Sequence, residues 1–180
     1  MLGSGPVVIW NLIRRCNLAC KHCYATSADI DFEGELSTEE VYAVMDDLKA
    51  FGVSVLILSG GEPLLRPDIF DISQRARDMG FYVGLSSNGT LIDESNIDAI
   101  DRVGYDYLGV SLDGMRDTHD RFRRKQGAFD ESIKAETGIG RAGQRLEQLL
   151  GVALFRVTLR ILGPDIQKPD PGFSQAKGQS

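Results

Sequence analysis

A regular alternation of apolar runs with amphipathic stretches restricts the fold more than any other feature of this sequence. Runs beginning at Val53, Phe81 and Tyr107 follow one another at about 27 residues, the length of one strand and one helix. An earlier run, Val7 to Ile13, has the same character. Each is dense in Val, Ile and Leu, which suits strands covered on both faces. Between the first two, Ser37 and Glu40 predict a capping box. Val41, Val44, Met45 and Leu48 then recur at helical spacing, and Gly52 ends the helix. Pro67 and Asp68 open a second helix bearing Ile69, Phe70, Ile72 and Ala76, which Gly80 closes, and Asp93 to Val103 reads as a third. The expectation is an α/β protein with parallel strands.

Every predicted strand passes into a polar, glycine-bearing or cysteine-bearing loop: Cys16 to Cys23, Gly60-Gly61-Glu62, Ser87-Asn88-Gly89 and Asp113-Gly114. An open, doubly wound sheet would focus its ligand loops near one switch point, whereas a β/α barrel gathers one from each unit on a single rim. A partial (β/α) barrel is therefore the expected architecture. With 180 residues, 42% hydrophobic and 26% charged, the chain can bury a core, which excludes general disorder. A formal net charge of −6 gives no basic face for a phosphate backbone, so no nucleic-acid partner is expected. No run of 18 apolar residues and no signal-like N-terminus occurs, so no membrane association is expected and the cytoplasm is the expected location.

All three cysteines, Cys16, Cys20 and Cys23, fall in one short segment. An odd, clustered set is not a disulfide framework, and thiols so close in a reducing compartment usually share a metal. Their C-x3-C-x2-C spacing differs from the paired C-x2-C knuckles of structural zinc. Three thiolates on a cubic four-iron cluster would leave one iron open to a small chelating molecule. The plainer alternatives are a zinc site with His22 as fourth ligand, or free buried thiols. His22 reads as a ring packed beside the metal, and Tyr24 as either a cover over it or loop packing.

The rest of the rim suits a zwitterionic, ribose-bearing ligand. Gly60 and Gly61 let the backbone come close, and Glu62 can hold an ammonium or stiffen the loop. Ser87, Asn88, Ser111 and Asp113 are short polar groups able to meet sugar hydroxyls. No phosphate-cradling motif is present. Arg121, Arg123, Arg124 and Lys125 form a basic run that reads as a solvated face, or as the source of one arginine that grips a carboxylate. Arg14 and Arg15 flank the cysteine loop and could offset thiolate charge or attract an anion. His119 reads as a surface or turn-capping histidine, with proton transfer as the alternative.

Together, Cys16-x3-Cys20-x2-Cys23, Gly60-Gly-Glu-Pro63, Ser86-Ser-Asn-Gly-Thr90 and Ser111-Leu-Asp-Gly114 resemble the radical S-adenosylmethionine (SAM) superfamily. The resemblance implies that the three cysteines hold a [4Fe-4S] cluster whose fourth iron takes the amino and carboxylate groups of SAM. It further implies reductive cleavage of SAM, with electrons from a low-potential donor, to a 5'-deoxyadenosyl radical that abstracts a substrate hydrogen. Gly60, Gly61 and Glu62 would meet the amino group, Asn88 and Ser111 the ribose or carboxylate side, and Arg123 a carboxylate, with Arg121 and Arg124 competing for that role. More narrowly, Pro6 to about Lys134 is similar to the radical SAM proteins of haem d1 biosynthesis, through Pro6-Val-Val-Ile-Trp-Asn-Leu-Ile-Arg-Arg-Cys, Leu36-Ser-Thr-Glu-Glu-Val, Leu56 to Phe70 and Thr118-His-Asp-Arg-Phe-Arg-Arg-Lys. That implies an anionic tetrapyrrole substrate, for which the rim arginines would be suited. Relatives in alternative haem synthesis and in peptide maturation share these motifs, and a catalytically silent iron-sulfur fragment is the non-enzymatic alternative.

The family pattern is expected to cover residues 1–134 and to stop near Ala135, where the glycines of Glu136 to Gly143 are poor helix material. We expect an atypical remainder over 135–163, in which Val152 to Ile161 could form a further strand, and a flexible tail over 164–180. Truncation or a shifted reading frame is the expected origin of residues 135–180.

Overall fold

The computed structural model describes residues 5–135 and 160–161. Five parallel strands, β1 (Val7–Ile13), β2 (Val55–Gly60), β3 (Tyr82–Ser87), β4 (Tyr107–Leu112) and β5 (Arg160–Ile161), form one sheet in the order β1-β2-β3-β4-β5. Sequential neighbours paired in parallel require a crossover between each pair. Here α1 (Thr38–Ala50), α2 (Ile69–Asp78) and α3 (Ile97–Val103) supply the first three. This is a partial (β/α) barrel. The end of the β strand expected over Val152 to Ile161 pairs with β4 at Ser111 and Leu112. The expectations for 136–159 and for the tail from 162 onward, including their origin, lie outside the described residues.

Local chemistry explains most element boundaries. The Ser37 side chain accepts the Glu40 amide at 3.2 Å while the Ser37 amide donates to Glu40 at 2.8 Å, so the capping box that starts α1 is present. At α2, Asp68 occupies the N-cap but makes no side-chain cap bond, because its carboxylate takes Thr38 Oγ1 at 2.6 Å and the Arg66 guanidinium at 2.8–3.0 Å. The third helix is shorter than expected and begins at Ile97. Residues 93–96 form a turn instead, since Asp93 accepts the Ser95 amide and hydroxyl and Asn96 donates to the Leu91 carbonyl. The basic run lies in α4 (Arg116–Arg123), and residues 128–135 are helical.

One face of the sheet carries Leu56, Leu58, Val83, Leu85, Leu108 and Val110, packed with Val41 and Met45 of α1, Ile69, Ile72 and Ala76 of α2, and Ile100 and Val103 of α3. Fully burying a side chain of this kind contributes about 1.5–3 kcal/mol, so this layer supplies the main driving force for folding. The register places Ile9, Ile57, Gly84 and Tyr107 in one row on the opposite, concave face. A strand covered on both sides was expected for Val7–Ile13. Instead Val7 is 60% and Ile9 67% exposed, because β1 is an edge strand and these residues point to the concave face, which the helices do not cover.

Candidate active site

The polar ends of β2, β3 and β4 and the cysteine loop surround one cavity of about 360 Å³, a size typical of a small-molecule site. Its lining includes Cys16, Cys20 and Cys23 together with Gly60, Gly61, Asn88, Ser111 and Arg123. Of the nine residues that the resemblance assigns to cluster and SAM, all but Glu62 therefore line one cavity, contributed by five chain segments.

The cysteine loop is tied down at its base and on both flanks. Arg15 bridges to Ala28, and the Cys16 amide donates to the Ala28 carbonyl at 3.1 Å. The pairing of β1 with β2 continues past the strand ends, as Gly61 N donates to Ile13 O at 2.7 Å and Glu62 N to Arg15 O at 2.9 Å. Gly61 must be glycine here, since a Cβ would lie 2.3 Å from Arg15 O and 2.4 Å from Arg14 O. Gly60, at φ 149°, makes the preceding turn. On one flank, Asn88 Nδ2 donates to Asn17 Oδ1 at 2.9 Å and faces Cys16 Sγ at 3.9 Å, while Asn17 Nδ2 donates to Thr90 Oγ1. On the other, Lys21 N donates to Phe122 O at 2.8 Å, and His22 packs edge-on against the Phe122 ring.

Glu62 is the residue of the glycine turn that does not line the cavity. It is fully buried, and its carboxylate accepts Ser87 Oγ at 2.9 Å, Asn88 N at 2.8 Å and Leu64 N at 3.1 Å. Of the two uses open to it, stiffening the loop is the one its contacts serve. Burial raises its pKa, against the pull of these hydrogen bonds.

Arg123 is 9% exposed, whereas Arg121 and Arg124 are exposed, so of the arginines in the basic run Arg123 is the one on the cavity. Its Nε lies 2.6 Å from Asp113 Oδ2 as an ion contact without an aligned hydrogen bond. Asp113, considered for sugar hydroxyls, is thus occupied by Arg123 and by His22 Nε2 at 3.4 Å. His119 is buried rather than at the surface, and its Nδ1 accepts the Asp113 amide at 3.1 Å, which is the turn-capping role. Tyr24 is exposed, lines the cavity mouth and donates to Asn11 Oδ1. Arg15 pairs with Asp29 and Asp31, and Arg14 lies over the Phe32 ring, so neither contact serves to offset thiolate charge, one of the two uses open to them.

The thiols differ in setting. Burial pushes the Cys16 thiol up, with the nearby Glu62 charge adding to it. Burial also pushes Cys20 up, opposed by Arg123. At Cys23 burial is outweighed by the neighbouring backbone amides of Ser27, Ala25 and Thr26, which hold its pKa below the usual thiol value. Among the described residues, no group of three or more His, Cys, Asp or Glu side chains converges on a point suited to a single metal ion. His22 lines the same cavity, with its Nε2 3.4 Å from Asp113 Oδ1. Three thiols spread around one cavity would suit a polynuclear cluster better than a single metal ion. The residues present fit such a group.

Tyr107, Asn17, Ser59 and Ser86 are also at the site, though sequence reasoning assigned none of them an individual role. The two serines share the alternation that exposes Ser111 to the concave side, so strand parity could have found them. Tyr107 lies along β4 over Gly109, where a Cβ would come within 2.5 Å of its hydroxyl oxygen; a strand glycine two residues after an aromatic was the available signal.

Comparisons with known proteins agree with this arrangement. The family profile described as the radical SAM superfamily matches residues 10–151. Fe-coproporphyrin III synthase of Methanosarcina barkeri is 52% identical over 129 residues, covering 72% of this chain and 32% of that protein. Pre-heme d1 synthase of Dinoroseobacter shibae is 48% identical over 138 residues, covering 77% of this chain and 34% of that protein. The solved structure of native anSMEcpe with bound AdoMet superposes with a TM-score of 0.62 at 25% identity, covering 74% of this chain and 40% of that one. This chain spans about a third of the length of the curated relatives it matches. With three cysteines, a glycine turn and polar strand ends around one cavity of a parallel β/α sheet, and a family match over most of its length, the chain belongs to the radical SAM superfamily.

Proposed function

We propose that this chain forms the cluster-binding and SAM-binding part of a radical SAM enzyme that modifies the side chains of an anionic tetrapyrrole. The observation that carries the reading is the meeting of Cys16, Cys20 and Cys23 with Gly60, Gly61, Asn88 and Ser111 around a single cavity. When bound, a [4Fe-4S] cluster and SAM supply reductive cleavage of a carbon–sulfur bond and a carbon radical able to take a hydrogen atom from substrate. The chain's own residues do the rest. The three thiolates hold the cluster, and backbone groups at Gly60 and Gly61 receive the SAM amino group. Asn88 and Ser111 would meet its ribose or carboxylate side, and Arg123 retains N–H donors for a carboxylate beyond those its present contacts use. Tyr107 and Gly109 form part of the cavity wall.

The substrate class is supported by the relatives' names, one a synthase of Fe-coproporphyrin III and one of pre-heme d1. Exposed Arg121 and Arg124 at the end of α4 suit propionate groups. A low-potential one-electron donor is the partner this chemistry requires. Among the described residues no helix is long and apolar enough to cross a membrane.

The test is anaerobic reconstitution with iron and sulfide, then electron paramagnetic resonance of the reduced protein with and without SAM and analysis for 5'-deoxyadenosine. A [4Fe-4S] signal that SAM alters, with 5'-deoxyadenosine formed and both lost in Cys20→Ala, is the expected result. A cluster indifferent to SAM would leave an iron-sulfur binding fragment and refute the enzymatic reading. Titration with iron-coproporphyrin III, followed by its Soret band, tests the substrate class: no saturable shift would remove the tetrapyrrole assignment.

A further inference from the structure

Arg123 does more than line the cavity. It lies in the last turn of α4, which ends at Arg124 in the left-handed conformation, φ 55°. Its Nε faces Asp113 Oδ2 at 2.6 Å, its Nη2 donates to the Ser111 carbonyl at 3.3 Å, and its Nη1 donates to Cys20 Sγ at 3.7 Å. One planar group thus joins the end of β4 to a thiol of the cysteine loop. The same half of the loop is held to α4 by the Lys21–Phe122 backbone bond and the His22 ring on Phe122, and His22 reaches the other oxygen of Asp113. The Arg123 guanidinium is therefore a fixed group whose orientation is set from two sides.

The three thiols have unlike neighbours. Cys16 faces the neutral amide of Asn88 and the Leu18 amide, and Cys23 faces backbone amides. Among the described residues, Cys20 is the thiol that accepts from a cationic side chain. A [4Fe-4S]2+ cluster that accepts one electron becomes more negative by one charge, spread in part onto its thiolate sulfurs. A positive N–H donor at such a sulfur stabilises the reduced state more than the oxidised one, and hydrogen bonds to sulfur and local net charge are established controls of cluster potential. Asp113 acts in the opposite sense through its charge while it orients the arginine. Burial of the pair limits screening by solvent.

We propose that Arg123, oriented by Asp113, is a positioning residue that raises the reduction potential of the cluster through Cys20, so that an external low-potential donor can deliver the single electron. This inference rests on the assignment of the three thiols to a cluster made under Proposed function.

The experiment is a redox titration of the reconstituted protein without SAM, monitored by electron paramagnetic resonance, for the wild type, Arg123→Met and Asp113→Asn. The expected result is a potential displaced to more negative values in Arg123→Met and to more positive values in Asp113→Asn, with iron and sulfide content retained in at least one of them. A residue that merely propped the loop would change cluster content and leave the potential where it was. Potentials unchanged in both loaded variants, or a positive displacement in Arg123→Met, overturn the proposal. So does failure of both variants to take up a cluster, which would make the pair a structural prop. A wild-type chain that takes up no cluster refutes the functional reading first and this inference with it, whereas a wild-type cluster insensitive to both changes refutes this inference alone.

Discussion

Replacing Gly61 by alanine tests the link between the glycine turn and the cysteine loop without touching a thiol. The added Cβ would lie 2.3 Å from Arg15 O and 2.4 Å from Arg14 O. Both distances are about 1 Å inside ordinary contact. The obstructing atoms are main-chain carbonyls just before Cys16, so no rotamer change can make room. The loop must move outward, which breaks the Gly61 N to Ile13 O and Glu62 N to Arg15 O bonds. Two backbone bonds are worth about 1–3 kcal/mol net, and forced overpacking adds about 1–3 kcal/mol. The expected loss is about 2–6 kcal/mol, which for a domain of this size lowers Tm by roughly 5–20 °C. Thermal unfolding of the apoprotein followed by circular dichroism measures this, and iron and sulfide content after reconstitution reports whether Cys16 still reaches its place. Gly34→Asn is the control, because Gly34 is surrounded by open space and asparagine tolerates its positive φ. A Gly61→Ala protein with an unchanged melting curve and a full complement of iron would refute the reasoning.

Two further outcomes follow from buried polar groups away from the cysteine loop. Ser73 Oγ donates to Ile69 O at 2.7 Å and accepts the Tyr105 hydroxyl at 2.7 Å, both buried, so Ser73→Ala strands the phenol and should cost about 1–3 kcal/mol in denaturant unfolding. Adding Tyr105→Phe should recover part of that loss, and strict additivity of the two changes would contradict the coupling. His119 has its pKa lowered by burial and then by Arg123. Its neutral form is therefore favoured in the folded state, and its contribution is fully present above the unfolded pKa of 6.5 and lost as pH falls through that value toward the lower folded one. The stability difference between wild type and His119→Gln should shrink between about pH 7 and pH 5, whereas a pH-independent difference would show that His119 is not held neutral.

Much of the architecture is legible in the residues themselves. The capping box at Ser37 and Glu40, the run Val7 to Ile13 and the strand Tyr107–Leu112 are set by propensities and periodicities that act over a few residues, and the structure has them where the sequence places them. The cysteine spacing and the glycine turn after β2 are likewise local, and they were sufficient to nominate the rim. Where local rules compete, the outcome needed the fold. Asp68 serves Arg66 and Thr38 in place of capping α2, and the turn at 93–96 displaces the first residues expected in α3.

What the tertiary structure alone decided is how the polar residues of the rim divide their work. Spacing left Glu62 and Asp113, each within two residues of a strand end, and Arg123, one of several arginines in the segment after β4, all open to a ligand. Their partners come from other units: Glu62 meets Ser87 and Asn88 of the next loop, and Arg123 meets Cys20, 103 residues before it in the chain. Parallel pairing brings those segments side by side only after the crossovers have packed. A sequence determines which groups arrive at the rim because strand direction and alternation are properties of short stretches, whereas burial and ion pairing depend on which stretches become neighbours.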